Sequence, residues 1–424
     1  MNNISRAATS VQKRIVGTLF LAQSLFSAST IAVFTLTPII SSTLSGSDSW
    51  AGLPNTIVLL GRAGSAIPFA YLMDRLGRRW ALSGGYSMAI VGSIISAWSI
   101  VEGSYLLFLI GSLFIGFARS AGDQSRYVGA EVFQMSRRAK IIGIIVFAGT
   151  IGAILGPLLV PASVSWVAMV NLPEEIGPFL ASAILMLLAS IAVFFFLRPD
   201  PKNLGEQIEE QERQEAGSEI QTVDDGRPLR LIFSAPLVQL AVLSMVISFF
   251  VMAFLMVITP LHMDRASHTT GAISTVIMAH TMGMFGLSWL TGWLIDRVGR
   301  IVMILVGTGI LGIACVLAPL SLRVPILGLA LFLLGLGWNF CFVAGSSLLS
   351  DSLAAHERAR GQGASEAIVA LAAGLASLSV GVVFAWGGFQ LVSIIAFIFT
   401  FLLAAATYWL TRKDNPVESA LSID

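Results

Sequence analysis

The sequence predicts an all-α membrane protein with twelve transmembrane helices in two pseudo-symmetric six-helix bundles. Of its 424 residues, 56% are hydrophobic and only 12% are charged, and the mean hydropathy is +0.84. Soluble domains carry about 25% charged residues, so a soluble fold is excluded. The apolar residues recur in blocks of about 20, the length of a helix that crosses a bilayer. The net charge of +1 also excludes the basic face of a nucleic-acid binder.

Twelve candidate spans follow one another in two sets of six. The first set comprises 15–40, 53–73, 80–101, 105–128, 141–162 and 177–197. The second set comprises 236–260, 271–294, 301–322, 325–349, 364–386 and 389–410. Between the sets, residues 198–230 carry nine acidic and five basic side chains and no long apolar run, which predicts a solvated linker with one short surface helix. The predicted domains are therefore 1–197, a charged linker over 198–235, and 236–424.

The placement of Lys and Arg predicts the orientation in the membrane. These residues concentrate in the termini, the linker and the connections on one side, whereas the connections on the other side hold only Arg265 and Arg323. Because cytoplasmic loops are enriched in Lys and Arg, we expect both termini in the cytoplasm and the chain in the plasma (inner) membrane. The first span lacks a clear small-residue cleavage site, so no signal peptide is expected.

The sequence carries no motif of enzymatic or metal chemistry. It has no Walker loop, H-E-x-x-H, G-x-S-x-G or Cys/His metal spacing, so we expect neither an enzyme nor a bound metal or cofactor. ATP-driven transport is disfavoured for the same reason. Cys315 and Cys341 lie inside apolar runs and are interpreted as small packing residues.

The two halves repeat one motif after their second spans. The second-half copy reads G-x-x-x-D-R-x-G-R and comprises Gly292, Asp296, Arg297, Gly299 and Arg300. The first-half copy begins with Ala70 instead of glycine and continues with Asp74, Arg75, Gly77 and Arg78. Glu131 and Asp351, after the fourth spans, correspond at nearly the same offset. This spacing indicates two parallel six-span halves, an architecture of secondary transporters with the substrate site near the membrane midplane.

These features resemble the major facilitator superfamily of secondary transporters. The repeated motif is similar to the family's loop signature G-x-x-x-D-R-x-G-R-R/K, and the resemblance covers the whole chain. It implies the family's fold and transport by alternating access. A further element of the fifth span, Gly152, Gly156 and Pro157, looks like the core of the G-x-x-x-G-P element of proton antiporters in this superfamily, without its usual trailing glycines.

The resemblance implies a gate at the cytoplasmic ends of the helices. Asp74 would meet the start of the eleventh span and Asp296 the start of the fifth. A carboxylate at a helix N-terminus is stabilised by the helix dipole and by free N–H groups. Alternatively, these charges serve only to set the topology.

Five further charges are expected to complete the gate. Arg78 would pair with Glu131, and Arg300 with Asp351. Glu366 lies about one turn into the eleventh span and is interpreted as a gate partner more readily than as a central proton site. Such pairs must break during transport, so a modest strength suits them.

Ionisable residues at membrane depth are the main candidates for the substrate and proton site, because burying charge there is costly. The helix rise places Arg62 about 18 Å from the cytoplasmic end of its span. Arg119, Asp123 and Arg126 share one face of the fourth span at spacings i, i+4 and i+7, so Asp123 could pair with either arginine. The excess positive charge predicts an anionic or zwitterionic solute, with Asp123 as the coupling carboxylate. Alternatively, a permanently neutralised pair fixes the fourth span in the bundle.

Two weaker candidates lie in the second half. His280 could relay protons, or it could be a buried histidine bonded to a hydroxyl such as that of Thr281. Asn339 occupies the position in the repeat that corresponds to Arg119. Three further residues could line a cavity by their depth or serve helix packing: Gln23, Asn55 and Trp338.

The sequence therefore predicts a secondary transporter that moves a small organic solute, anionic or amphipathic, coupled to protons. The alternative is a multidrug–proton antiporter for hydrophobic compounds, which the fifth-span element and the 26 Phe and 14 Met support. A receptor or scaffold would not need breakable gate motifs in both halves. The expected partners are the solute, protons and membrane lipid, and the chain is expected to act as a monomer, although the sequence leaves the oligomeric state open.

Overall fold

The computed structural model describes residues 2–216, 227–353 and 357–414. Within these ranges the chain forms fourteen α-helices, two short 3₁₀ helices and no β-strand. The first seven helices are α1 (Asn2–Ser45), α2 (Leu53–Leu76), α3 (Arg78–Glu102), α4 (Tyr105–Glu131), α5 (Met135–Met169), α6 (Gly177–Phe196) and α7 (Pro201–Ala216). The others are α8 (Leu229–Ile232), α9 (Pro236–Arg265), α10 (Thr270–Phe285), α11 (Ser288–Val298), α12 (Arg300–Leu317), α13 (Val324–Asp351) and α14 (Arg358–Asp414).

The helices confirm the predicted all-α membrane fold. In the described residues, ten helical segments are long and apolar enough to cross a membrane. The pair α10 and α11, bent by 48°, adds an eleventh if it counts as one span. The last segment covers the final two predicted spans. Gly388, with a φ of +63°, interrupts the helical backbone between them. Helix α7 corresponds to the surface helix expected in the linker, whereas residues 217–226 lie outside the described part.

Contacts divide the chain into two compact units. Unit 1 comprises Met1–Gly46 and Leu53–Gln221, and unit 2 comprises Ser47–Gly52 and Thr222–Asp424. The short segment Ser47–Gly52 belongs to unit 2, where the Ser377 hydroxyl donates a hydrogen bond of 3.0 Å to the Gly52 carbonyl.

Two glycines allow α2 and α4 to approach each other closely in unit 1. A Cβ atom on Gly61 of α2 would lie 2.7 Å from the Leu113 carbonyl oxygen of α4. A Cβ atom on Gly116 of α4 would lie 2.4 Å from the Val58 carbonyl oxygen of α2. Only glycine allows these two backbones to touch, as small residues do at many membrane helix crossings. The crossing brings Arg62, the residue after Gly61, against α4.

Unit 2 has a similar glycine crossing between α10 and α13, with even shorter Cβ distances. A Cβ atom on Gly283 would lie 2.1 Å from the Phe332 carbonyl oxygen, and one on Gly335 would lie 2.3 Å from the His280 carbonyl oxygen. These contacts fix α13 against the end of α10.

The cysteines occupy packed positions in unit 2, as expected. Cys315 and Cys341 are both buried and unbonded to each other. The Cys341 sulfur lies 3.7 Å from the Thr308 hydroxyl of α12. The interpretation of this residue as a small packing residue is thus consistent with its surroundings.

The crossing of α2 and α4 predicts a difference between two neighbouring glycines. Gly61→Ala should lower the melting temperature in detergent, because overpacking against a fixed backbone costs about 1–3 kcal/mol. Gly64→Ala is the matched control, since a Cβ atom there meets nothing within 4 Å and alanine favours the helix by about 1 kcal/mol. Equal melting temperatures for the two variants would contradict the proposed packing role of Gly61.

Candidate functional site

The central feature of unit 1 is an ion pair between α2 and α4. Arg62 Nε lies 2.6 Å from Asp123 Oδ2, and the two side chains are 38% and 35% exposed. The spacing on α4 predicted that Asp123 could pair with Arg119 or Arg126. That prediction is wrong, because the salt-bridge partner of Asp123 is Arg62. The reason is the glycine crossing, which places Arg62 beside α4. Both side chains of the pair are therefore only partly buried.

Arg119 is the second cation of this cluster. It lies one turn before Asp123 on α4 and interacts electrostatically with both Arg62 and Asp123. No salt bridge joins its guanidinium to a carboxylate within the described residues. We call Arg62, Arg119 and Asp123 the central cluster. It holds two guanidinium groups and one carboxylate, which leaves one positive charge without a matching anion.

Arg126 lies outside this arrangement. Its guanidinium carbon lies 4.9 Å from the ring centroid of Tyr127, and its Nε is buried without a hydrogen-bond partner in the described part of the chain. On the same helix, the Ser125 hydroxyl donates to Gln23 Oε1 at 2.8 Å. Gln23 therefore ties α1 to α4 at the level of the central cluster.

His280 is buried between α10 and α13. Only 1% of the residue is exposed, and its Nδ1 lies 2.9 Å from the Leu331 carbonyl oxygen. A carbonyl only accepts hydrogen bonds, so Nδ1 carries the proton. The partner is a backbone group on another helix instead of the Thr281 hydroxyl that the sequence suggested. A fixed backbone bond favours a packing role for His280 over proton relay.

Asn339 stabilises the break between α10 and α11. Its Nδ2 donates to the Met284 carbonyl at 2.8 Å, and its Oδ1 accepts from the Thr291 hydroxyl at 2.5 Å. The predicted eighth span is therefore two helices instead of one. A side chain satisfies a carbonyl next to the interruption, as the interior of a membrane protein requires.

The first copy of the repeated motif forms an ion-pair cluster at one end of unit 1. Arg78 donates from Nε and Nη2 to the two carboxylate oxygens of Glu131, both at 3.0 Å. Its Nη1 donates to Asp74 Oδ1 at 2.8 Å. The predicted pairing of Arg78 with Glu131 is confirmed. We call Asp74, Arg78 and Glu131 the gate cluster; the neighbouring Arg75 lies over the Tyr71 ring instead, 4.6 Å from its centroid.

Sequence reasoning missed Asp200, which binds the start of α3, the helix that carries Arg78 of the gate cluster. Helix α3 begins after Gly77, whose φ is +86° and which provides no side-chain cap. The two carboxylate oxygens of Asp200 accept the backbone N–H groups of Arg78 and Arg79, each at 3.1 Å. Lys202 donates to the Asp74 carbonyl at 2.7 Å. The start of the linker thus caps α3, a role that its acidic composition alone did not reveal.

The second copy of the motif is more open. Arg300 Nε lies 2.9 Å from Asp351 Oδ2, which confirms that predicted pair. Arg297 lies 4.2 Å from the Trp293 ring centroid. Asp296 and Glu366 are exposed, and their gate roles stay predictions. Gly299 matches Gly77 with a φ of +90°, and a Cβ atom on Gly292 would meet nothing within 4 Å.

A second missed pair holds the end of the linker on unit 2. Arg227 donates from Nε and Nη2 to the two oxygens of Glu357 at 2.7 and 2.8 Å. Glu357 is only 3% exposed. The hydrogen bond and the charge of Glu357 raise the pKa of Arg227 above its ordinary value. Nothing in the spacing of these two residues indicates their contact.

The antiporter-like element of α5 lies against α1. A Cβ atom on Gly152 would lie 2.4 Å from the Ser24 carbonyl oxygen, and one on Gly156 would lie 2.8 Å from that of Ala28. Pro157 follows within the same buried stretch. These glycines therefore have a packing role, whatever their part in transport.

The family follows from a comparison that covers nearly the whole chain. A family model described as Major Facilitator Superfamily matches residues 19–287 and 241–422. The chain belongs to the major facilitator superfamily. This membership makes it an integral membrane transporter and not an enzyme.

The chain is similar in sequence to transporters from two bacteria. It is 32% identical over 405 residues to the uncharacterised MFS-type transporter YdeG of Bacillus subtilis, with 94% of this chain and 92% of YdeG covered. It is 29% identical over 392 residues to the riboflavin transporter RfnT of Brucella anthropi, with 92% and 94% covered.

Solved structures support the same fold. A bacterial homologue of the human lysosomal transporter Spinster is similar with a TM-score of 0.72 at 15% identity, over 94% of this chain and 96% of that one. A D-xylose–proton symporter is similar with a TM-score of 0.69 at 16% identity, over the same shares. At such identities, the similarity establishes the fold alone.

The cap on α3 predicts a local effect of Asp200→Ala. The first-turn amides of α3 should exchange with deuterium about fivefold faster, because a capping side chain contributes about 1 kcal/mol. Hydrogen exchange with mass spectrometry on the detergent-solubilised protein measures this. Glu206→Gln is the control, since Glu206 is exposed and lies 3.9 Å from Lys202. Equal exchange at α3 in both variants would exclude the cap.

Proposed function

We propose that this transporter moves a small organic solute, anionic or amphipathic, by alternating access coupled to protons. The observation that supports this proposal is the central cluster, in which two guanidinium groups lie near one partly exposed carboxylate. Uncompensated charge at membrane depth is costly and marks substrate and ion pathways. A solute carboxylate supplies the missing anion.

Proton coupling follows from the exchangeability of the Arg62–Asp123 pair. While Arg62 is adjacent, Asp123 is its salt-bridge partner. When a solute anion takes the place of Asp123 beside Arg62, the released carboxylate is the group proposed to take up a proton. Solute binding and proton binding then favour each other, which is the coupling free energy that uphill transport needs.

The remaining parts of the proposal concern location and gating. The excess of Lys and Arg on one side supports a plasma-membrane protein with both termini in the cytoplasm. The gate cluster then lies at the cytoplasmic end of unit 1. The chain is proposed to work as a monomer with lipid, solute and protons as its partners.

The relatives are compatible with a solute of this kind. RfnT is named a riboflavin transporter, and riboflavin is an amphipathic molecule with a flat ring system. At 29% identity the substrate itself does not carry over. The relationship supports a metabolite-sized organic solute.

The second candidate is a multidrug–proton antiporter for hydrophobic compounds. It is supported by the glycine and proline element of α5. The packing of Gly152 and Gly156 against α1 accounts for these residues without antiport. The positive central cluster also repels lipophilic cations, which ranks this candidate below the anion transporter.

Proton flux into sealed proteoliposomes tests the proposal. A trapped pH dye reports the flux when aromatic carboxylates or lipophilic cations are added, and empty liposomes give the background. Asp123→Asn should abolish proton-coupled flux while solute exchange continues, because the residue that takes the proton is gone. Arg119→Gln should raise the KM for carboxylates roughly tenfold to hundredfold, the effect of one charge-assisted hydrogen bond.

The control variant is Arg323→Gln, which removes an exposed arginine outside the spans. It should leave both readings unchanged. Unchanged uphill transport in Asp123→Asn would exclude this residue as the coupling group. A signal with cations alone would favour the multidrug antiporter and reduce the central cluster to a structural role.

A further inference from the structure

Unit 2 contains a cluster of four aromatic side chains from three helices. Trp338 and Phe342 of α13 stack with ring centroids 5.0 Å apart. Phe249 of α9 lies edge-on to Trp338 at 5.7 Å, and Phe285 of α10 does so at 6.3 Å. We call these residues the aromatic cluster. The three phenylalanines are partly exposed, so the cluster presents ring surface that other groups can reach.

Trp338 has a polar group that nothing in the described structure satisfies. The residue is only 7% exposed, and its indole Nε1 is buried without a hydrogen-bond partner in the described residues. Leaving a buried N–H unpaired costs free energy that a hydrogen-bond acceptor would recover. Buried tryptophans usually have such a partner. The missing acceptor is the observation that points to a ligand.

The aromatic cluster lies beside the interrupted helix. Phe285 is the last residue of α10, and Asn339, which binds the Met284 carbonyl at the break, follows Trp338 directly. Discontinuous helices in transporters are typically found where the solute binds. The amide of Asn339 is already satisfied by Thr291 and Met284, which leaves the indole N–H as the free donor at this point.

We propose that the aromatic cluster is a subsite for a flat aromatic ring that carries a hydrogen-bond acceptor. The ring would stack on, or meet edge-on, the partly exposed phenylalanines, and its acceptor would pair with the Trp338 N–H. The inference rests on the proposed function, because it narrows the organic solute to a planar heteroaromatic compound. A saturated solute does not gain the aromatic stacking, and a ring without an acceptor does not gain the hydrogen bond.

Three carboxylates of similar size separate these contributions. Quinoxaline-2-carboxylate has a flat ring with acceptor nitrogens, 2-naphthoate has a flat ring without them, and decahydro-2-naphthoate has no aromatic ring. Calorimetric binding to the purified full-length protein in detergent gives the three affinities. Wild-type protein should bind quinoxaline-2-carboxylate most tightly and decahydro-2-naphthoate least tightly.

Two variants assign the effects to the aromatic cluster. Trp338→Phe should weaken quinoxaline-2-carboxylate about twofold to tenfold, the effect of one neutral hydrogen bond, and leave 2-naphthoate nearly unchanged. Phe249→Leu should weaken both aromatic carboxylates and spare decahydro-2-naphthoate. Trp386→Phe is the matched control, since Trp386 is 82% exposed and should affect none of them.

The outcomes distinguish the subsite from the proposed function. If all three carboxylates bind with equal affinity, and neither Trp338→Phe nor Phe249→Leu changes it, the subsite is excluded, while weaker binding in Arg119→Gln would preserve the anion site. If the aromatic preference is found but proteoliposomes show no flux, the subsite stands and the transport proposal fails. Tetraphenylphosphonium binding that is lost in Phe249→Leu, with carboxylates unaffected, would make the cluster a cation site and overturn the inference.

Discussion

The cost of holding charge inside a bilayer governs the arrangement of unit 1. A carboxylate or guanidinium at that depth needs a partner or a path to water. Asp123 has a partner in Arg62, and its side chain is 35% exposed. Arg119 shares the same carboxylate at longer range. This arrangement of two guanidinium groups around one carboxylate depends on backbone contact. The glycines of α2 and α4 bring Arg62 close enough to bind Asp123. Packing, charge and the proposed chemistry thus rest on one helix crossing.

The linker is joined to both units, which adds a mechanical constraint. Its first residues cap α3 through Asp200 and bind the end of α2 through Lys202. Its last residues hold Glu357 through Arg227. A chain segment that looks like a solvated spacer is therefore anchored at each end. The gate cluster lies beside Asp200 and Lys202, which bind α3 and α2. Movement of either helix would therefore also move the start of the linker.

The sequence predicts most of this fold because hydropathy reports helix length directly and the internal repeat reports which loop residues correspond. For that reason the pairs of Arg78 with Glu131 and of Arg300 with Asp351 were predictable. The partner of Asp123 was not, because it depends on how closely two helices approach. The same holds for the cap by Asp200 and for the aromatic cluster, in which residues distant in sequence meet across helices. The break after α10 is likewise invisible to a hydropathy pattern that continues through it.

The coupling between Asp123 and solute is measured most directly by titration calorimetry of an aromatic carboxylate in buffers with different ionisation enthalpies. The slope of the observed enthalpy against the buffer enthalpy gives the number of protons that accompany binding. If solute displaces Asp123 from Arg62 and the free carboxylate then takes a proton, wild-type protein takes up protons when it binds solute, at most one per solute molecule. Asp123→Asn takes up none while it still binds. An equal proton count in both proteins would contradict the role of Asp123 as the coupling carboxylate.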